Sequence, residues 1–213
     1  MPVEKIFWED SYLAELEAKV TGVNGDTITL DRTIFYAASG GQESDTGTIA
    51  GFPVLSAEKK DTEIFYTLKG LHNLKEGDKV LVRIDWERRY RLMRLHFAAE
   101  IILELVYRLF NRPVKIGANI SEDKARIDFL WDGRISDAFP LLTREAKDII
   151  EKDLPIRSEY SEREQEQRYW EIDGFAKVSC GGTHLRRTGE VGVIRLKRNN
   201  IGKGKERIEI YLT

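Results

Sequence analysis

The sequence predicts an α+β fold, with a small N-terminal β-barrel packed on a two-layer α/β domain. Over about the first 85 residues, short β-branched and aromatic stretches alternate with turn signals, which is typical of a small barrel or sandwich. From Trp86 onward, apolar residues recur at intervals of three and four, as on one face of a helix. Helical and strand-like stretches then mix to the end of the chain, which indicates an α+β second half.

In the N-terminal region we expect one helix followed by strands. The amphipathic helix is expected at about Trp8–Lys19. The strands are expected at Thr27–Leu30, Thr33–Tyr36, Thr62–Leu68 and Lys79–Ile84. The turn signals between them are Asn24-Gly25, Ser39-Gly40-Gly41 and Glu76-Gly77-Asp78.

In the second half the pattern predicts two helices and several strands. The long helix should end at Asn111 and Pro113, and its apolar face should contain Leu92, Leu95, Ala99, Ile102, Val106 and Leu109. The second helix is expected at about Asp137–Leu154, with Leu142, Ala146, Ile149 and Ile150 facing inward. Strands are expected at Arg126–Leu130, Ile156–Tyr160, Val191–Leu196 and Arg207–Leu212. Because no Gly/Ser linker separates the halves, we expect two packed domains, 1–86 and 87–213.

Composition excludes several classes of protein. Hydrophobic residues make up 41% of the chain, which is enough for a packed core and argues against disorder. No stretch approaches the roughly 18 apolar residues of a membrane span, and the N-terminus has no apolar signal core. The single cysteine, Cys180, excludes an internal disulfide framework. We therefore expect a cytoplasmic protein with no membrane partner.

The charges are unevenly distributed along a chain whose net charge is −2. Residues 1–82 contain 8 basic and 14 acidic side chains, whereas residues 176–213 contain nine basic and three acidic ones. A basic region of this kind suits either phosphate binding or an ordinary solvated surface. The candidate phosphate ligands there are Arg186, Arg187, Arg195, Lys197, Arg198, Lys203 and Lys205. Arg88, Arg89, Arg91 and Arg94 of the long helix form a second candidate patch.

Two short patterns contain residues that bind metals. His96 and Glu100 are four residues apart in the long helix, so their side chains lie on one face. Cys180 and His184 enclose two glycines, which should let the loop bring both ends to one ion. Imidazole, thiolate and carboxylate all bind Zn²⁺, so these four residues are the predicted metal ligands. Either pattern alone is more often a surface pair or an ordinary loop, and His72 looks like a loop histidine.

Four separated motifs together resemble one family. The stretch from Leu30 to Gln42, LDRTIFYAASGGQ, resembles the LDRTxFYPxSGGQxxDxG signature before the editing site of alanyl-tRNA synthetases. The stretch from Ile84 to His96 resembles the lead into that family's His-x₃-His helix, and residues 125–129 resemble its RFDF strand. The stretch from Cys180 to His184, with TGEVG at 188–192, resembles CGGTHxxxTGEIG. The chain thus resembles the free-standing alanyl-tRNA editing proteins, AlaX, in their medium-length form.

Two positions depart from the family pattern. Ala37 stands where the signature has proline, which we expect to be harmless. Glu100 stands where the family has the second histidine of His-x₃-His. A carboxylate at this spacing can ligate zinc directly, can hydrogen-bond to a zinc ligand without touching the metal, or can mark weakened metal binding. We favour direct ligation.

The resemblance implies an N-terminal β-barrel, a two-layer editing domain, one Zn²⁺ per chain and hydrolysis of mischarged tRNA(Ala). The expected substrate is Ser-tRNA(Ala), with Gly-tRNA(Ala) as a further candidate; DNA is not an expected partner, and we expect a monomer. Zinc would activate water or anchor the substrate amine. The expected catalytic residues are His96, Cys180 and His184. The expected substrate-binding residues are Thr183, Asn119, Gly40, Gly41, Arg186 and Arg187.

Three alternatives remain open. The first is an RNA-binding module with a closed, structural zinc site and no catalysis. The second is an editing domain of the threonyl-tRNA type, against which the Asp31–Gln42 signature argues. The third is an inactive relative, which only Glu100 suggests.

Overall fold

The computed structural model describes residues 2–213, which divide into two compact units. The first unit ends at Tyr90, and the second comprises Arg91–Thr213. The division falls in the first turns of helix α1 (Trp86–Leu109). The mixture of antiparallel sheets with a few helices confirms the predicted α+β class.

The first unit is built almost entirely of strands. They are β1 (Glu4–Lys5), β2 (Glu15–Asn24), β3 (Thr27–Leu30), β4 (Arg32–Thr33), β5 (Gly47–Ile49), β6 (Phe52–Lys60), β7 (Glu63–Leu68) and β8 (Lys79–Ile84). Six of these pair in the order β2-β3-β7-β6-β5-β8 and form a closed barrel, with β8 antiparallel to β2. Strands β1 and β4 form a short parallel pair outside it. A 3-10 turn at Ile6–Trp8 follows β1.

The helix predicted at Trp8–Lys19 is wrong, because this region leads into strand β2. Along β2, Leu16, Ala18 and Val20 face inward while Glu17 and Lys19 are exposed. This alternation has the period of two that defines a strand with one buried face. The strand predicted at Thr33–Tyr36 stops at Thr33, and Tyr36 instead gives its backbone N–H to the carboxylate of Asp45, at 2.7 Å.

The second unit combines two sheets with helix α1 and a second helix. Its elements are β9 (Lys115–Ile120), β10 (Ala125–Leu130), α2 (Phe139–Glu151), β11 (Arg157–Glu162), β12 (Gln167–Ile172), β13 (Ala176–Ser179), β14 (Ile194–Gly202) and β15 (Lys205–Leu212). One sheet has the order β14-β15-β10-β9 and the other β11-β12-β13, and all pairs are antiparallel. Two 3-10 segments occupy Ile135–Ala138 and Thr188–Val191.

Helix α1 is buried on more than the single face that was predicted. Leu92 and Leu95 are fully buried, but so are Met93, Phe97 and Ile101, which point in other directions. A helix that is apolar on most sides lies inside a domain. Its neighbours include the three-stranded sheet, through ring contact between Phe97 and Trp170 of β12. Burial on several sides fixes the rotation of the helix, and therefore the direction in which its few polar side chains point.

The remaining helix predictions agree with the structure. The inward positions expected for α2 are those that are buried in it: Leu142, Ala146, Ile149 and Ile150. Helix α1 ends at Leu109, just before Asn111 and Pro113. Among residues 2–213, neither helix combines the length and apolar character needed to cross a bilayer.

Candidate metal and editing site

Helix α1 supplies two polar side chains to the interior of the second unit. His96 is 5% exposed, and the Nε2 atom of its ring lies 3.3 Å from Oε1 of Glu100, one turn further along the helix. Spacing of four residues aligns the two side chains on one face, as the sequence predicted. Because apolar residues surround this face, both groups are removed from bulk water.

The loop after β13 supplies the other two predicted ligands. The backbone N–H of Cys180 donates to the carbonyl of Arg168 at 2.9 Å. This bond extends the β12–β13 pairing by one residue and fixes the backbone that carries the thiol. His184, four residues later, is buried. Neither intervening glycine has a left-handed φ, so the loop closes with ordinary backbone angles. Gly182 is buried, and Gly181 is exposed.

The helix and the loop bring three donor atoms together. Sγ of Cys180 lies 3.5 Å from Nε2 of His96 and 3.3 Å from Nε2 of His184. The donor atoms of His96, Cys180 and His184 all lie within 4.8 Å of one another. The two imidazole rings have centroids 5.2 Å apart. Two segments 84 residues apart thus converge on one point.

These three side chains fit a zinc ion by chemistry and by spacing. One thiol and two imidazoles form a set that zinc uses in catalytic sites. With metal–donor bonds of about 2.1 and 2.3 Å, two corners of a tetrahedron are separated by about 3.6 Å. The two sulfur–nitrogen distances, 3.3 and 3.5 Å, are close to that spacing.

Burial lowers the pKa of both histidines, but the neighbouring charges shift the two pKa values in opposite directions. Burial by itself lowers the pKa of His96, but the charge and hydrogen bond of Cys180, with those of Glu100, raise it to about 10. For His184, burial and the charges of His96 and Arg168 all lower the pKa well below its usual value. The lowered pKa of His184 favours the neutral imidazole, which is the form that binds metals. His96 would release its proton on binding a metal ion.

Glu100 lies beside the three-residue group rather than within it. Its Oε1 atom contacts His96, whereas Oε2 is buried and has no hydrogen-bond partner among residues 2–213. Burial raises the pKa of this carboxyl, but the hydrogen bond and charge of His96, with smaller effects of Trp170 and Lys115, lower it overall. The Glu100 carboxylate is thus charged and lies at the edge of the cluster. The four-ligand set predicted from the sequence would instead have made it one of the metal ligands.

Sequence comparisons identify the family to which this chain is related. Residues 5–88 match the family described as tRNA synthetases class II (A), and residues 171–209 match the threonyl and alanyl tRNA synthetase second additional domain. An alanyl-tRNA editing protein, AlaX-M, from Pyrococcus horikoshii is 32% identical over 98% of this chain and 97% of its own length. The chain belongs to the AlaX-M family of alanyl-tRNA editing proteins. The AlaX-M of Saccharolobus solfataricus is 33% identical over 96% of this chain and 97% of its own length. An alanine–tRNA ligase from Methanococcus maripaludis is also 33% identical, but the chain spans only 25% of it.

The other predicted substrate-binding residues of this AlaX-M chain lie in three separate places: beside His184, on β9 and in the glycine turn of the first unit. Thr183 is 1% exposed and adjoins His184. Asn119 lies on β9 opposite Arg126, on the sheet face away from Ile127. Gly40 and Gly41 have φ of 59° and 91°, a left-handed backbone that favours glycine, in a turn closed by Ser39 and Gln42.

The predicted arginine contacts are partly engaged within the protein. Arg187 donates to the carboxylate of Asp153 at 2.6 Å, and Arg186 is exposed. In the helical patch, Arg89 is fully buried and forms an ion pair with Asp45, and Arg94 donates to the carbonyl of Val191. The other two patch residues also donate within the protein: Arg88 to the carboxylate of Glu43, and Arg91 to the carbonyl of Glu122. Arg89 therefore cannot contribute to the patch expected on the long helix, because it is buried, whereas Arg91 is exposed.

Sequence reasoning missed two residues next to the cluster. The hydroxyl of Ser158, on β11, lies 2.9 Å from Nδ1 of His184. Arg168 of β12 is buried and donates to the carbonyl of Ser158 at 3.2 Å. No motif marks either residue, since their roles depend on the pairing of β11 with β12.

Proposed function

We propose that this AlaX-M chain is a trans-editing hydrolase that removes the amino acid from mischarged tRNA(Ala), with Ser-tRNA(Ala) as the first substrate and Gly-tRNA(Ala) as the second. The observation that carries the proposal is the convergence of His96, Cys180 and His184. A Cys-His₂ set leaves one coordination position for chemistry, which is the arrangement of catalytic rather than structural zinc sites. The names of the relatives, alanyl-tRNA editing proteins, agree with this activity.

The reaction is the hydrolysis of the ester between the amino acid and the terminal ribose. Water adds across the bond, so the amino acid leaves as a carboxylic acid and the ribose oxygen takes a proton. One zinc ion per chain, held by His96, Cys180 and His184, would supply Lewis-acid chemistry for this step. Glu100 provides a negative charge next to His96, where it can hold a proton or contact a substrate amine.

The need for an editing site that selects serine follows from the weak discrimination of alanyl-tRNA synthetase between alanine and serine. A pocket that accepts alanine discriminates weakly against one added hydroxyl, so a second site must remove the errors. A site that hydrogen-bonds the serine hydroxyl can reject alanine by roughly 10⁴ or more. Thr183 is proposed to contact the substrate next to His184, with Asn119 as a further pocket residue.

The two parts of the chain would then have different tasks. We assign residues 1–86 as the N-terminal domain, in which Gly40 and Gly41 form a turn proposed to contact the tRNA. Residues 87–213 would form the zinc-containing editing domain. Arg186 and Arg187 are proposed to contact the phosphate backbone near the editing loop.

A deacylation assay tests the proposal. Purified protein should hydrolyse Ser-tRNA(Ala), lose activity with a zinc chelator and regain it when zinc is restored. Correctly charged Ala-tRNA(Ala) and mischarged Ser-tRNA(Thr) serve as controls, and neither should be cleaved at a comparable rate. Binding of tRNA without hydrolysis would favour an RNA-binding module with a structural zinc. Preferential cleavage of Ser-tRNA(Thr) would favour the threonyl type.

A further inference from the structure

The four-stranded sheet of the second unit has two unlike faces. Along β15, Ile208 and Ile210 are fully buried, whereas Arg207 and Tyr211, which alternate with them, are partly exposed. Residues in cross-strand register share a face. Ile208 is in register with Ile127 of β10, so one face of the sheet is apolar. The other face contains the alternate residues of every strand.

This second face is rich in basic side chains. We call it the basic sheet face, and its charged residues are Lys124, Arg126, Arg195, Lys197, Lys205 and Arg207, with Asp128 and Glu209 as the two acids. Six positive charges against two negative ones leave an excess of four. The chain as a whole has a net charge of −2, so this excess is local.

Both acids already have basic partners. Asp128 accepts hydrogen bonds from Arg207, at 2.7 Å, and from Arg126. Glu209 forms an ion pair with Lys124. These contacts account for three of the six basic side chains. No carboxylate of residues 2–213 forms an ion pair with any of the other three, Arg195, Lys197 and Lys205.

Tyr211 of β15 contacts Arg195, one of the three remaining basic residues. The guanidinium of Arg195 lies 4.9 Å from the centroid of the Tyr211 ring, and the Tyr211 hydroxyl donates to Glu209 at 3.0 Å. Stacking on a ring restricts the arginine side chain but leaves its N–H groups able to donate to a ligand. Less side-chain freedom is then lost when an anion binds.

We propose that the basic sheet face binds the phosphate backbone of tRNA, an inference that rests on the proposed function for the identity of the RNA. Side chains two residues apart on one strand are separated by about 6.7 Å, and neighbouring strands by about 4.8 Å. The face is therefore a grid of cations that can contact several phosphates of one strand. Such contacts position a nucleic acid without reading its sequence.

Binding of uncharged tRNA(Ala) at several salt concentrations tests the proposal without any chemistry. The variants are Lys197→Gln, Lys205→Gln and the double substitution, and Lys147→Gln on α2 is the control because it removes the same charge from another exposed surface. Each contact contributes a slope of about 0.9 to the dependence of log affinity on log salt. Each single variant should weaken binding on the order of tenfold at about 0.1 M salt and reduce the slope by about one. Lys147→Gln should change neither.

Three outcomes would overturn the proposal. Unchanged tRNA affinity and slope in the double variant would exclude the face as an RNA contact. An equal loss in Lys147→Gln would show that only net charge matters. Loss of binding to phosphatidylserine vesicles, with tRNA binding intact, would assign the face to a membrane. Because uncharged tRNA needs no hydrolysis, a chain that binds through Lys197 but fails to deacylate Ser-tRNA(Ala) would refute the proposed function and leave this inference standing.

Discussion

The hydroxyl of Ser158 contacts Nδ1 of His184, and Nε2 of the same ring faces the thiol of Cys180. A hydrogen bond at one imidazole nitrogen determines the tautomer and holds the ring, so that the other nitrogen is available to a metal. Arg168 donates to the Ser158 carbonyl and accepts from the Cys180 N–H through its own carbonyl. One series of hydrogen bonds therefore connects both loop ligands to strands β11 and β12.

We expect Ser158→Ala to weaken zinc affinity by about 10–100-fold, because His184 loses the partner that orients its ring. Competition with a chromophoric chelator measures this without reference to activity. Ser158→Thr keeps the hydroxyl and should largely restore affinity. Ser161→Ala, on the exposed side of the same strand, is the control. If Ser158→Ala binds zinc as tightly as the original chain, the hydroxyl does not position His184.

Cys180→Ala should lose both bound zinc and Ser-tRNA(Ala) hydrolysis, because the thiolate is the donor shared by both sulfur–nitrogen contacts. Metal content of the purified protein and single-turnover deacylation are the measurements. Ser179→Ala changes the preceding, exposed residue and should retain both. Full hydrolysis by Cys180→Ala would remove the thiol from the proposed mechanism.

Substitution of Glu100 distinguishes a three-donor from a four-donor site. With His96, Cys180 and His184 as the ligands, Glu100→Ala should still bind one zinc per chain, and Glu100→His should retain or improve binding. Metal stoichiometry after dialysis is the measurement. Zinc loss in Glu100→Ala alone, with Glu100→His intact, would instead make the carboxylate a direct ligand, as its helical spacing indicated.

The parts of this molecule that could be predicted from sequence are those with local signals. The 3.6-residue period predicted the position of α1 and the inward residues of α2. The motifs that resemble the editing family predicted that Cys180 and His184 lie near His96. Strand β2 was missed because its alternation of Glu, Leu, Ala and Lys also fits a helix over a short window. Residues Glu15–Lys19 of the strand pair with β8, 60 or more residues away, and this contact has no local signal.

Contacts between distant segments could not be predicted. Ser158 is an unremarkable serine until the pairing of β11 with β12 places it against His184. The long-helix arginines looked like a phosphate patch because sequence gives charge but not burial. Arg89 is fully buried, and its partner Asp45 is 44 residues away.

Stability at low pH should depend on the ion pairs of the four-stranded sheet. Burial raises the pKa of Asp128, but the hydrogen bond from Arg207 and the charges of Arg126 and Arg207 lower it overall. A carboxyl whose folded pKa is depressed stabilises the fold above its unfolded value of about 3.9, and this contribution is lost as the pH falls through the folded pKa. Asp128→Asn should therefore be less stable than the original chain near neutral pH and differ less from it in acid. Urea unfolding at about pH 7 and about pH 3 measures both; a difference that grows in acid would contradict this sign.

The buried pair of Asp45 and Arg89 closes the segment that contains Gly40 and Gly41. Their side chains are 1% and 0% exposed. Arg89 also donates to the carbonyl of Ile34 at 2.7 Å. At the ends of the segment, the N–H of Asp45 donates to the carbonyl of Tyr36 at 3.0 Å, and the N–H of Tyr36 donates to the Asp45 carboxylate. One carboxylate therefore holds both the ends of the loop and the start of helix α1.

Removal of that charge should destabilise the first unit strongly. Asp45→Asn leaves the Arg89 guanidinium buried and uncompensated, which typically costs about 3–5 kcal/mol. Arg83→Ala breaks an exposed pair with Glu15 in the same unit and should cost no more than about 1 kcal/mol, so it is the control. Urea unfolding gives both values. In the fraction of Asp45→Asn that remains folded, zinc content should be unchanged while KM for Ser-tRNA(Ala) rises. The glycine turn loses its anchor, whereas His96 lies about two turns beyond Arg89 in α1 and the other two metal ligands lie in the loop after β13. A loss of zinc together with the rise in KM would contradict this separation and would assign Asp45 a role in the whole fold.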